Sequence, residues 1–310
     1  MEKKSTRDAY GEALLKLGGN HDIIVLDADL SVSTQTGKFA KLFPGQFINV
    51  GCAEQNLIGV AAGLAIGGKI PFASTYAIFS LRAWEQIRNT IAHDRLPVKV
   101  AVSHAGLTNA PDGASHQALE DIALMRVIPN MSVIVPADGV EAASVVQMEA
   151  ERKGPAYIRL NRSKTPILFL HDYQFEFGKA VYIADGQDIT LLATGTMVHL
   201  AVLASEVLKR AGISTRVINI STIKPLDTDA VIRAARETGA VITVEEHSVM
   251  GGLGSAVAEV LSEHVPVPMS LIGVRDVFGE SGEYEDLLEK HGLTVECIVS
   301  SAQSLLRRKK

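Results

Sequence analysis

The chain alternates between short runs rich in valine and isoleucine and longer stretches of helical period, and few architectures absorb that alternation. The segment HDIIVLDADL carries a strand from about Ile23 to Leu26, KIPFAST a second near Ile70 to Ala73, and VKVAVSHAG, MSVIVPAD and PAYIRL follow the same rule. Each run ends in polar or glycine residues, as a strand covered on both faces by helices requires. Between them the periodicity predicts helices over Thr6–Leu17, Glu54–Ile66, Ile78–Ala92, Leu119–Arg126 and Val140–Ala150. Strands that alternate with helices in this way imply an α/β fold built on a parallel sheet.

The pattern lapses in NRSKTPILFLHDYQFEFGKAVYIADGQD and then resumes with DITLLATG, STRVINI, AVITVEE and VPMSLIGV as strands. Helices over Met197–Arg210, Thr228–Arg236 and Leu253–His264 separate them. Two parallel-sheet α/β domains are therefore expected, at 1–162 and 187–310, joined by a linker over 163–186. Bulk properties close off other classes. A hydrophobic content of 47% over 310 residues suits a well-packed globular chain, and a formal net charge of −5 argues against nucleic acid as a partner. Two cysteines, Cys52 and Cys297, imply no disulfide framework, and Cys52 reads as a small buried filler. No apolar signal core or membrane-length run is present, so no membrane partner and a cytoplasmic location are expected.

In parallel sheets ligands gather beyond the C-terminal strand ends. Polar residues cluster there: Asp27, Asp29, Ser31 and Ser33; Ser74, Thr75 and Tyr76; Ser103 and His104; Arg159 and Arg162. Glu54 follows the short apolar run FINV and opens GCAEQNLIGVAAGLAIGG, a helix otherwise small and apolar. A carboxylate in such a helix either complements the macrodipole at the N-terminus or is held out of water to share a proton with a ligand. The stretch by itself favours the first use; the surrounding strand-end clusters add weight to the second.

The loop SHAGLTNAPDGASHQALED puts His104, Asp112 and His116 together. Their spacing is loose for a metal site, so no metal ligand is assigned, whereas donors and acceptors of this kind suit the hydroxyls of a sugar. The same residues could also serve only the loop's own backbone. In STYAIFSLRAWEQIRN, Trp84 reads as core, and Phe79 as a ring near the ligand edge that could stack on a flat heterocycle, with Tyr76 near the start of its helix. GGLGSAVAEV lacks the lysine of a phosphate loop, and its glycines read as close packing of helix on strand.

These motifs together resemble a known family. GCAEQNL and STYAIFSLRAWEQ look like the pyrimidine-domain segments of thiamine-diphosphate enzymes, and the His104–Asp112–His116 loop with RVIPNMSVIVPAD is similar to the transketolases and deoxyxylulose-phosphate synthase. DITLLATG and EEHSVMGGLGSAVAE look like the C-terminal domain of the same superfamily. No GDG occurs in the chain, although the superfamily holds diphosphate and Mg²⁺ through a domain carrying GDG and a later Asn. The chain thus resembles the C-terminal subunit of a split transketolase, a pyrimidine-binding domain followed by a C-terminal domain. The resemblance implies thiamine diphosphate and Mg²⁺ as cofactors, an N-terminal partner subunit that holds the metal, an α2β2 assembly, and no activity for this chain alone.

It also implies roles. Glu54 meets the aminopyrimidine ring of the cofactor, Phe79 stacks on that ring, and Tyr76 lies beside it. Arg82 stands where transketolases often have Tyr and the synthase has Arg. His104 and His116 contact the donor's hydroxyls, Asp112 reads a hydroxyl's configuration, and Arg162, Ser33 and Arg7 match positions that bind the sugar phosphate. Three alternatives compete: the β subunit of a 2-oxo acid dehydrogenase E1 component, an enzyme like the synthase, and a non-catalytic scaffold. The histidine-bearing loop argues against the first, the single-chain habit of the synthase against the second, and retention of Glu54 against the third.

Overall fold

The computed structural model describes residues 2–309. Fourteen strands run in chain order as β1 (Lys3–Lys4), β2 (Ile23–Asp27), β3 (Phe47–Asn49), β4 (Ile70–Tyr76), β5 (Lys99–Ser103), β6 (Ser132–Ile134), β7 (Ala156–Arg159), β8 (Thr165–Pro166), β9 (Val181–Ala184), β10 (Ile189–Ala193), β11 (Thr215–Asn219), β12 (Thr222–Lys224), β13 (Val241–Ser248) and β14 (Met269–Val274). They form a seven-stranded sheet in the order β12-β6-β7-β5-β4-β2-β3, a five-stranded sheet in the order β14-β13-β10-β11-β9, and a ribbon of β1 with β8. Both larger sheets are parallel except at one edge, where β12 pairs antiparallel with β6 and β9 antiparallel with β11. The fold is α/β in two units, as the alternation requires.

Local chemistry fixes several element ends. Ser5 accepts from the Asp8 amide and starts the helix Thr6–Leu17; Asp138 accepts from Glu141 and starts Gly139–Glu151. Capping oxygens of this kind satisfy amides that have no partner within the helix. The helix Glu54–Ile66 buries Leu57, Ile58, Ala61, Ala62 and Ala65 against the first sheet.

Three segments depart from the sequence reading. The stretch expected as one helix over Ile78–Ala92 is broken into Ala77–Ser80, a tight turn at Leu81–Ala83, one turn at Trp84–Gln86 and a wide π-helical turn at Ile87–Ala92. Ala83 leaves helical geometry at φ −107° and ψ 17°, while Gln55 holds the Arg82 carbonyl and Trp84 donates its indole N–H to Leu124 O. Side-chain bonds from outside thus override the helical period. The helix expected from Leu119 starts at Asp121, because Glu120 sits at φ −123° and ψ 0°. The stretch 163–186 carries β8 and β9, the second of which completes an edge of the second sheet.

Register places the site. Asp27 lies level with Asn49 and with Ser74, and Tyr76 with Ser103, so β2, β3, β4 and β5 end along one edge. The two domains share apolar core: Val133 and Val135 pack in one cluster with Ile218, Ile220, Ile223 and Val241. Among the described residues no helix is long and apolar enough to cross a membrane.

Candidate functional site

Four rings form a contiguous array at that edge. Tyr76 at the end of β4 stacks on His104 just past β5, their centroids 3.9 Å apart. Tyr76 also lies nearly parallel to Phe79, at 5.3 Å and 7°, and Phe79 meets His116 edge-on at 5.4 Å. The Tyr76 hydroxyl donates to Ser33 Oγ at 2.9 Å. Arg7 Nη1 donates to Ser33 O at 3.0 Å and lies 3.1 Å from His104 Nε2. Six of the residues singled out from sequence thus interlock with one another.

His104 is held in one protonation state by its neighbours. A guanidinium only donates, so Nε2 accepts from Arg7, and Nδ1 carries the proton toward Ser103 Oγ at 2.8 Å. Burial, with Arg7 and then Arg162 nearby, pulls its pKa down to about 3. The residue sits at φ +57°, a left-handed conformation uncommon outside glycine, so the surrounding bonds hold the backbone where it would not settle by itself. His116 is half-buried, with Nδ1 2.9 Å from Ser115 Oγ. Asp112 is exposed on the same loop, which passes through three short turns at Gly106–Thr108, Ala110–Asp112 and Ala114–His116. Arg162, also exposed, reaches Asn109 Oδ1 of that loop at 3.4 Å.

Glu54 occupies the first turn of its helix, whose cap residue, Ala53, offers no side-chain oxygen. Its side chain is 12% exposed, and Arg82 Nε lies 3.4 Å away on an arm that is 74% exposed. Arg82 follows Phe79 by three residues, so the partner of this carboxylate comes from the segment that bears one ring of the array. Both uses weighed for Glu54 are thus open to it: it complements the helix terminus, and it is largely removed from water. Trp84 packs against the main core, as its helical setting suggested. Cys52 is exposed rather than buried, with Sγ 3.9 Å from Asp29 Oδ2. Among the described residues no group of three His, Cys, Asp or Glu side chains could hold a metal ion.

Sequence reasoning named Asp27 and Arg159 as strand-end polar residues but did not foresee their burial behind the array. Asp27 accepts from Leu30 N, Thr34 and Thr36, which folds the turn that presents Ser33. Arg159, read as a ligand-edge residue, is instead buried on Asp121 at 2.8 Å. Glu246, in the segment EEHSVMGGLGSAVAE, is buried against the loop that carries His104.

Comparison with known proteins shows the family. The family model for the transketolase pyrimidine-binding domain matches residues 2–167, and that for the transketolase C-terminal domain matches 178–298. The chain belongs to the transketolase family. It is 47% identical to the putative transketolase C-terminal section of Methanocaldococcus jannaschii, over 98% of this chain and 97% of that one. It is 43% identical to the 6-deoxy-6-sulfo-D-fructose transketolase subunit SqwH of a Clostridium species, over 100% of this chain and 97% of the relative. It covers about 50% of human transketolase, with 36% identity. Among solved structures, one described as split gene transketolase, inactive beta4 tetramer, superposes with a TM-score of 0.93 at 53% identity, over 99% of both chains.

Membership implies dependence on thiamine diphosphate. The residues present fit the aminopyrimidine part of that group: a carboxylate largely out of water, with one loosely held cation beside it, and stacked aromatic rings in the same domain. Such a carboxylate can accept or share a proton with a ring nitrogen, which a solvated one does poorly.

Proposed function

We propose that this chain is the C-terminal subunit of a two-chain transketolase, which moves a two-carbon ketol unit from a ketose phosphate to an aldose phosphate once an N-terminal subunit completes the site. The observation that carries this reading is the linked array Arg7–Ser33–Tyr76–His104, set beside Phe79 and His116. It combines an aromatic wall, a neutral histidine and an arginine at one strand-end crevice. A sugar with an anionic terminus needs these groups, and a 2-oxo acid does not need the histidines. The pairing with M. jannaschii and Clostridium chains of equal span supports a divided enzyme, and the missing GDG supports a partner that holds diphosphate and Mg²⁺.

When bound, thiamine diphosphate supplies the electron sink for carbon–carbon cleavage. Glu54 holds a proton at the aminopyrimidine nitrogen, and Phe79 and Tyr76 exclude water from that ring. Arg82 steadies the Glu54 carboxylate from the solvent side. His104, a neutral ring held by Arg7 at Nε2 and by Ser103 at Nδ1, lines the place of the donor's hydroxyls together with His116; Asp112 reads their configuration. Arg7, Ser33 and Arg162 bind the terminal anion, for which guanidinium forks are suited.

The test is reconstitution with the GDG-bearing partner, thiamine diphosphate and Mg²⁺, followed by a screen of ketose donors and aldose acceptors. Ketol transfer is expected, and Glu54→Gln should lower turnover by about 100-fold or more while circular dichroism stays unchanged. Turnover of pyruvate or a branched 2-oxo acid in place of sugars would overturn the assignment. An unimpaired Glu54→Gln enzyme would remove that carboxylate from the reaction.

A further inference from the structure

The loop 104–117 carries His104, Asp112 and His116, yet three of its anchors come from the other domain. Leu107 N donates to Glu246 Oε1 of β13 at 2.6 Å. Gly282 N donates to Ala110 O at 3.1 Å, and Gln117 Nε2 donates to Glu280 O at 3.0 Å. Close approaches reinforce them: a Cβ on Gly106 would lie 2.4 Å from Glu246 Oε1, one on Gly113 2.5 Å from Ser281 Oγ, and one on Gly279 1.7 Å from Gln117 Oε1. The glycines of the loop are therefore spaces for the second domain.

Glu246 is the centre of this contact. Its other oxygen accepts from Asn161 Nδ2 at 3.2 Å, Thr196 Oγ1 at 3.0 Å and Tyr284 OH at 2.8 Å. Asn161 precedes Arg162, and the Asn161 amide and carbonyl bind Thr6 Oγ1 and Arg7 N respectively. One buried carboxylate thus joins the loop of His104 to the segments that bear Arg162 and Arg7. Four donors on one buried carboxylate hold its neighbours in a single arrangement, since releasing any of them strands a polar group.

We propose that Glu246 is a positioning residue through which the C-terminal domain sets the geometry of the sugar-binding loop. The proposal rests on the substrate role given to that loop above, so its test has one arm that does not depend on activity. Amide exchange of the chain by itself is followed at Leu107 and across 104–118, and donor kinetics are measured on the reconstituted enzyme. Glu246→Ala is expected to speed Leu107 exchange by about tenfold or more and to raise KM for the ketose donor by about tenfold. Turnover at saturation should stay within about threefold, and thiamine diphosphate affinity within about twofold.

Glu246→Gln should rescue both readouts. The Thr196 and Tyr284 hydroxyls can turn to accept from its amide, and Asn161 can present Oδ1, which is buried without a partner. A merely structural role would move cofactor affinity along with KM and would not separate Ala from Gln. If Glu246→Ala does not fold, Tyr284→Phe removes one donor while keeping the ring, and it must still speed Leu107 exchange. Unchanged Leu107 exchange in whichever of these variants folds overturns the latch. Faster exchange with an unaltered donor KM in an active enzyme overturns its link to substrate. A wild-type complex inactive on every ketose, with exchange as stated, would sink the ketol-transfer reading and leave the latch standing.

Discussion

His104 shows how one side chain can be specified from several directions. Arg7 fixes the acceptor nitrogen, Ser103 Oγ accepts from the Nδ1–H, and Tyr76 covers a ring face. Burial and the two arginines bring its pKa down to about 3, below the ordinary unfolded value of about 6.5. The folded state therefore binds fewer protons than the unfolded one beneath pH 6.5. The histidine's contribution to stability is present above that pH and is lost progressively as pH falls toward 3. Nitrogen NMR of the imidazoles should find His104 as the Nδ1–H tautomer, without titration, from pH 8 down to pH 5. A ring that takes up a proton near pH 6 would contradict the geometry. Much of this residue's identity was legible in sequence, because His104, Asp112 and His116 share one glycine-containing loop at a strand end. Its protonation state was not, since Arg7 lies 97 residues away along the chain and meets it only through folding.

Elements repeat the lesson with a different cause. The helices Thr6–Leu17, Glu54–Ile66 and Leu253–His264 match the periodicity because nothing outside interrupts them, whereas the stretch after Tyr76 is cut by bonds from Gln55 and to Leu124. Strand β12 escaped the pattern because its pairing with β6 joins segments far apart in sequence. The glycines of GGLG were legible, and their cause is now specific. Leu253 N and Gly254 N both donate to Glu245 at 2.7 Å, so a side chain caps this helix from β13. A Cβ on Gly254 would meet Leu271 Cδ2 at 2.8 Å and Thr243 Oγ1 at 2.9 Å, while Gly63 in the earlier helix has open space within 4 Å. Gly63→Ala should therefore gain about 0.5–1 kcal/mol in urea unfolding, as glycine-to-alanine changes in helices ordinarily do. Gly254→Ala should instead lose about 1–3 kcal/mol through overpacking. Equal effects at the two positions would show that the close approach at Gly254 is relieved without cost.

At the scale of the whole molecule, two domains that look separable in sequence are joined by a strand that crosses from the second half into the first sheet. Strand β12, from the second half, closes the first sheet with Thr222 opposite Ile134, and Val135 N donates to Ser221 O at 2.7 Å. Glu141 of the first domain accepts from Ser221 Oγ at 2.5 Å and from Asn219 at 3.0 Å. Arg159 of β7 donates to Glu246 O at 3.1 Å while it is paired with Asp121. Each of these groups is buried, so parting the domains would expose shared apolar core and strand charged or polar groups at once. Ordinary domain contacts are more polar and permit independent motion. Here the first sheet loses its edge strand, and both interiors lose hydrogen-bond partners, when the domains part. Calorimetry of the chain at neutral pH should accordingly give one endotherm, with the calorimetric and van't Hoff enthalpies in agreement. Two resolved transitions would mean that the second domain can unfold while the first persists, and the loop that carries His104 would then keep its shape without Glu246.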